Sequence, residues 1–155
     1  MQIVRGAAVP VHQRRVLATA LIDAFGRQYP EWSVDEAIAE LASDDLKVQS
    51  VIAIVDDLAV GCASLLNDDE VDGWNDHAWL GNVVVLAEHR RKGIGRALAR
   101  AIETLALDSQ LEELHLVTDT GVQWYERDGW TLCGTASVHG HPMTVMRKRL
   151  ANPSD

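Results

Sequence analysis

The chain has 155 residues, 47% of them apolar and 24% charged, the balance of a single globular domain rather than a disordered chain. A chain of this length buries roughly two-thirds of its unfolded surface, enough for a core without metal or disulfide staples. Its 14 basic residues against 23 acidic ones leave a formal charge of −9, which excludes a general nucleic-acid or anionic-membrane binder.

Any anionic partner must therefore meet a local basic cluster. The two cysteines, Cys62 and Cys133, lie far apart and form no Cys-x-x-Cys pair, so they suggest neither a disulfide framework nor a zinc site. Their scarcity suits a reducing, cytoplasmic compartment. The apolar run from Val16 to Phe25 is broken by Asp23 and is too short to span a membrane.

In chain order, Val16, Leu17, Leu21 and Phe25 recur near every fourth position and predict a helix over residues 11–25. Ser33 with Glu36 three residues on reads as a capping box that opens a second, shorter helix through Ile38 and Leu41. Val48–Val55 and Leu58–Leu66 are strand-like and flank the turn pair Asp56-Asp57, which predicts a hairpin. Residues 67–77 read as a polar loop. Trp79 to Leu86 is almost wholly apolar, as in a strand buried on both faces. A basic loop then leads to a helix whose Ile94, Leu98, Ile102 and Leu105 form one apolar stripe, followed by a buried strand, Leu114–Val117. This is a βαβ unit. A short helix over 121–127 closes at Asp128-Gly129, and strands Thr131–Val138 and Thr144–Leu150 flank His139-Gly140-His141-Pro142. The order implies a mixed α/β (α+β) sheet covered by helices.

The chemistry concentrates in Arg90-Arg91-Lys92-Gly93-Ile94-Gly95, between the buried strand and the long helix. The two glycines permit close backbone approach, and a new helix presents unpaired N–H groups at its positive dipole end. That combination is an anion site suited to phosphate. With Arg96 and Arg100, five cations fall within eleven residues of an otherwise acidic chain, which points to a discrete polyphosphate ligand. Neither the P-loop pattern nor Gly-x-Gly-x-x-Gly is present.

The segment from Val85 through Arg90-Arg91-Lys92-Gly93-Ile94-Gly95 to Leu98 resembles the acetyl-CoA motif of the GNAT family of N-acetyltransferases, Arg/Gln-x-x-Gly-x-Gly/Ala after a Val-rich strand. Element order agrees from about residue 10 to 150. The resemblance implies a mostly antiparallel sheet with a βαβ acetyl-CoA-binding core, residues 1–151 as one N-acetyltransferase domain and 152–155 as a tail. It assigns Arg90, Arg91, Lys92, Gly93, Ile94, Gly95 and Arg96 to the pyrophosphate, and Val83, Val84 and Val85 to the pantetheine arm. It brings acetyl-CoA as cosubstrate, no metal, an amine acceptor and a possible homodimer.

Tyr125, four residues before Gly129-Trp130, resembles the family's second signature, Tyr-x-x-x-Gly-Phe, with Trp130 in place of Phe. A phenol there can protonate the departing thiolate or hold it by a hydrogen bond. Two departures stand out. Asp119 and Thr120 occupy the region where the family often has Asn, and Trp79–Leu86 lacks the carboxylate that family members use as general base. Asp76, His77, Glu88, His139 and His141 are the nearby alternatives, each more commonly structural.

Asp68, Asp69, Glu70, Asp72 and Asp76 crowd one loop, where a negative field would attract a cationic amine. A calcium loop aligned on Gly73 fails, since its twelfth position is Trp79. Trp79 and Trp130 read as core, and Trp74 either as core or as an acceptor contact. The closing run from Gly140 to Leu150 is similar to a bacterial subset of the family. The alternative to an enzyme is a non-catalytic CoA-binding sensor on the same fold.

Overall fold

The computed structural model describes residues 1–45, 47–67, 71, 73–74 and 77–150. Among these residues seven strands form, β1 (Gln2–Arg5), β2 (Val48–Val55), β3 (Leu58–Leu66), β4 (Trp79–Val85), β5 (Glu113–Thr118), β6 (Thr131–Val138) and β7 (His141–Arg149). Among the described residues four α-helices accompany them, α1 (Val11–Phe25), α2 (Val34–Ala42), α3 (Ile94–Asp108) and α4 (Val122–Arg127). The strands make one sheet in the order β1-β2-β3-β4-β5-β7-β6, antiparallel at every step except β4–β5. The fold is thus mixed α/β with a mostly antiparallel sheet.

Local chemistry explains most elements. The Ser33 hydroxyl accepts from the Glu36 amide at 3.1 Å and the Glu36 carboxylate accepts from the Ser33 amide at 3.2 Å, so the capping box is complete. Asp56 and Asp57 both take positive φ, 51° and 65°, as a tight two-residue hairpin turn requires. The last hairpin turns at His139 and Gly140, so β7 starts at His141 rather than at Thr144. Strand β1 carries no alternation strong enough to read in four residues; it forms by pairing with the edge of β2.

Helix α3 covers one face of the sheet. Its Leu98, Ile102 and Ala106 pack with Leu80, Leu114, Leu116 and Met146. Helices α1 and α2 cover the other face through Leu17, Leu21, Ile38 and Leu41, against Ile52, Cys62 and Val84. A third cluster, with Trp79, Val138 and Val145, lies where β4 meets the β6–β7 hairpin. Among the described residues, no helix is long and apolar enough to cross a membrane.

Two irregularities shape the site. Among the described residues, β4 and β5 pair in register only at Trp79↔His115, and beyond it the strands diverge. On its other side, β4 slips register against β3 between Cys62 and Ser64, and Asn82 takes φ 55°. The slip reverses the alternation, because Leu80 and then Val83 and Val85 lie toward α3, while Val84 lies toward α1 and α2. The strand is therefore not buried on both faces throughout, as its composition predicts: Gly81, Asn82, Val83 and Val85 are half-buried beside the gap.

Candidate active site

The gap between β4 and β5 opens into a cavity of about 630 Å³. Val83, Val84 and Val85 form one wall, Thr118, Thr120 and Gly121 the opposite one, and Trp124 and Tyr125 of α4 a third. The mouth is cationic, with His89, Arg90, Arg91 and Arg96 lining it beside Gly93, Ile94 and Gly95.

Gly93 is the N-cap of α3, left-handed at φ 80° and providing no side-chain cap. The first helical bond there runs from the Ala97 amide to the Gly93 carbonyl at 3.1 Å, so the amides of 94–96 have no partner one turn back. All three residues line the cavity. A Cβ on Gly93 would meet no atom within 4 Å, so φ and the open space beyond it explain glycine here. The Arg90 Nε donates to the Val85 carbonyl at 3.0 Å and ties the loop to its strand. His89, absent from the sequence reading, lines the mouth with its Nδ1 buried and without a hydrogen-bond partner among the described residues.

The predicted cofactor residues therefore converge, with qualifications. Lys92 is exposed and does not line the cavity. Arg96 lines it, but its Nε also lies 3.3 Å from the buried carboxylate of Asp128. Arg100 is turned onto the same Asp128 at 3.2 Å, and Lys148 reaches it at 3.9 Å and Glu103 at 3.0 Å. Asp128, a simple helix stop in the sequence, is the anchor joining α4 to α3 and β7.

Tyr125 stands in the cavity wall. Its ring packs edge-on to Trp124 and Trp130, with centroids at 4.7 and 6.1 Å. Burial pushes its hydroxyl up to about 12, so the phenol is neutral at any physiological pH. Cys62, on β3 opposite Val84, is wholly buried, donates to the Asn82 carbonyl at 3.2 Å and is also pushed up to about 12 by burial. A thiol held this way is no nucleophile.

The other face of the β4 slip holds a polar network that the sequence did not reveal. The Asn82 side-chain amide donates to Glu40 Oε2 at 3.3 Å and to Ser64 Oγ at 3.2 Å. Ser64 and Ser50, both fully buried, share a hydrogen bond at 2.7 Å, and the Ser50 hydroxyl donates to the Glu40 carbonyl at 2.9 Å. A half-buried carboxylate from α2 is thus fixed beside the strand that lacks one of its own.

The remaining candidates disperse. His139 stacks edge-on to Tyr29 at 5.5 Å, so the α1–α2 connection touches the β6–β7 turn. His141 and Glu88 are exposed. His77 lies against His115, with ring centroids 4.2 Å apart. Trp74 packs on Gly134, where a Cβ would come within 2.8 Å of its ring, and its Nε1 donates to the Thr135 carbonyl at 3.4 Å. Trp79 and Trp130 are core, at 3% and 2% exposure. The acidic residues Asp68, Asp69, Glu70, Asp72 and Asp76, and with them the failed calcium alignment, lie outside the described residues.

Comparison with known proteins decides the family. The model of the acetyltransferase (GNAT) family matches residues 15–130. The chain belongs to the GNAT family. No curated protein sequence matches this GNAT chain. Among solved structures it is similar to an aminoglycoside 6′-N-acetyltransferase complexed with coenzyme A, at 18% identity and TM-score 0.69 over 100% of both chains. It is similar to the aminoglycoside 6′-N-acetyltransferase from Enterococcus faecium, at 19% identity and TM-score 0.69, also over 100% of both. The PaiA N-acetyltransferase from Thermoplasma acidophilum, in complex with coenzyme A, gives 16% identity and TM-score 0.70 over 96% of this chain and 99% of that one. At these identities the likeness is one of fold.

Proposed function

We propose that residues 1–151 act as one N-acetyltransferase domain that moves the acetyl group of acetyl-CoA directly to a primary amine. The observation that carries the reading is the uncapped start of α3, ringed by Arg90, Arg91, Arg96 and His89, at the mouth of the split between β4 and β5. Helix N–H groups and guanidinium groups suit a diphosphate. The unpaired edge of β4 at Val83–Val85 suits the amides of a pantetheine arm. The amine class is supported by the neighbours, two of which are named for 6′-N-acetylation of aminoglycosides. The acidic sequence between Asp68 and Asp76 favours an amine that is itself cationic.

In this reading the Glu40 carboxylate, held by Asn82, takes a proton from the incoming ammonium. The free amine attacks the acetyl carbon, forming the C–N bond. The C–S bond then breaks, and the second proton of the nitrogen ends on the departing sulfur. Tyr125 donates a hydrogen bond to that sulfur. Burial keeps the Tyr125 phenol protonated and therefore available as a donor there. Direct attack is favoured over an acetyl-enzyme because Cys62 is sealed and protonated.

Thiol release from acetyl-CoA with a panel of polyamines, aminoglycosides and amino-terminal peptides tests the reading. Turnover with a cationic amine is expected, and Glu40→Gln should lower kcat by about 100-fold with CoA affinity unchanged. Tight CoA binding without turnover on any amine would make the protein a sensor.

A further inference from the structure

Away from the cavity, the residues that the sequence left as loop and strand converge in one place. Glu113 and His115 are two apart on β5 and so share a face, the one opposite Leu114 and Leu116, which pack under α3. His77 precedes β4, and its approach is fixed because the His115 amide donates to the Ala78 carbonyl at 2.9 Å. Ligand atoms of His77, Glu113 and His115 all lie within 4.8 Å of one another. The Trp74 and Trp79 rings wall the pair of imidazoles, with centroids 6.0 and 5.5 Å from that of His115.

We propose that His77, Glu113 and His115 form a binding site for a divalent transition metal of the zinc class, independent of the acetyl-transfer site. Two imidazoles and one carboxylate are the donor set that zinc accepts with its fourth position open. Tetrahedral ligands about 2.1 Å from the ion stand roughly 3.4 Å apart. Closing the triad therefore needs rotations on the ångström scale. Half-exposed His77 and exposed Glu113 have that freedom, while buried His115, at 3% exposure, provides the fixed point.

Access exists from the Glu113 side, which borders a cavity of about 350 Å³ shared with Thr131, Arg147 and Arg149. Those arginines also set the selectivity. Arg147 stands opposite His115 and Arg149 opposite Glu113 in the β5–β7 register. Against two neighbouring guanidinium groups, a single carboxylate cannot hold a hard cation by charge. Only a metal that bonds to imidazole nitrogen gains enough, so zinc, nickel or copper should bind where magnesium and calcium do not.

Titration of tag-free, chelator-stripped protein with zinc chloride by calorimetry tests this. One saturable site is expected in the wild type. Its affinity should fall at least ten-fold in His77→Gln and in Glu113→Gln, both substitutions of accessible side chains, and persist in excess magnesium. The double variant His139→Gln/His141→Gln should bind as the wild type does. Cobalt loading should give a visible absorption band that His77→Gln abolishes. The absence of saturable heat in the wild type overturns the site. So does unchanged affinity in both His77→Gln and Glu113→Gln, or loss of binding in the His139/His141 variant.

Discussion

Asn82 is where the conformation of β4 and the chemistry beside it meet. A left-handed residue inside a strand is uncommon, and asparagine tolerates that region better than most side chains. The conformation turns its amide away from the α3 side and onto Glu40 and Ser64, so local strain is exchanged for a positioned carboxylate. Asn82→Gly separates the two roles, since glycine keeps the backbone and removes the amide. Thermal stability should change little while kcat drops by about ten-fold; a full-rate Asn82→Gly enzyme would detach the network from catalysis. Tyr125 makes a separate prediction about pH. Tyr125→Phe should lower kcat by at least about ten-fold. Because burial raises the phenol to about 12, the hydrogen-bond donor persists up to that pH and is lost above it. The wild-type rate profile should therefore show no alkaline limb near 10 that disappears in Tyr125→Phe. Finding such a limb would mean that the hydroxyl ionises as an exposed tyrosine does.

At the scale of elements, α3 and α4 are joined by a charge that neither could hold alone. The Asp128 carboxylate is 2% exposed and faces Arg96, Arg100 and Lys148. Removing it leaves three cations crowded beside a buried void, so Asp128→Ala should destabilise by about 3 kcal/mol. For a chain of this size that is a melting-point loss of roughly 6–12 °C, readable by calorimetry. Freed from Asp128, Arg96 would retain its place at the mouth, so CoA affinity should fall less than stability does. Gly93→Ala should do the reverse. It meets no steric contact but forces a side chain into left-handed space, at about 1 kcal/mol, and disturbs the amides of the following turn. CoA affinity should therefore drop by an order of magnitude or more, while the melting point moves by a few degrees. These elements were largely legible beforehand: the Ser33 cap, the Asp56-Asp57 turn and the stripe of α3 are local signals within a few residues. The Glu40–Asn82 pairing was not, because it joins residues 42 apart through a register slip that no periodicity announces. Nor was the His77–His115 contact, which follows from the pairing of Trp79, the first residue of β4, with His115, the third of β5.

Across the whole molecule, the sheet is two blocks with a narrow hinge of pairing. Strands β1–β4 form an antiparallel block, β5, β7 and β6 another, and Trp79↔His115 is their sole register pair among the described residues. Apolar packing spans them as well. Leu98 and Ile102 of α3 pack on residues of both blocks, from Val60 and Leu80 on one side to Leu114 and Met146 on the other. Past that pair, Val83–Val85 of β4 have no register partner on β5 among the described residues, so their backbone groups on that side need another partner. A ligand that hydrogen-bonds to Val83–Val85 from one side and meets Thr118–Tyr125 from the other would stitch the blocks together. Anything that binds only the folded state stabilises it by mass action, so CoA should raise the melting point in proportion to the logarithm of its concentration. The location of the effect is the sharper test. Amide hydrogen exchange should slow on CoA addition at Val83–Val85 and 94–96, with β1 and β2 unchanged, since they lie on the far side of β3. Uniform slowing through every strand would mean that the two blocks unfold as one unit and that the split is only a channel. Protection confined to 94–96 would mean that the protein grips the diphosphate alone and leaves the thioester arm free.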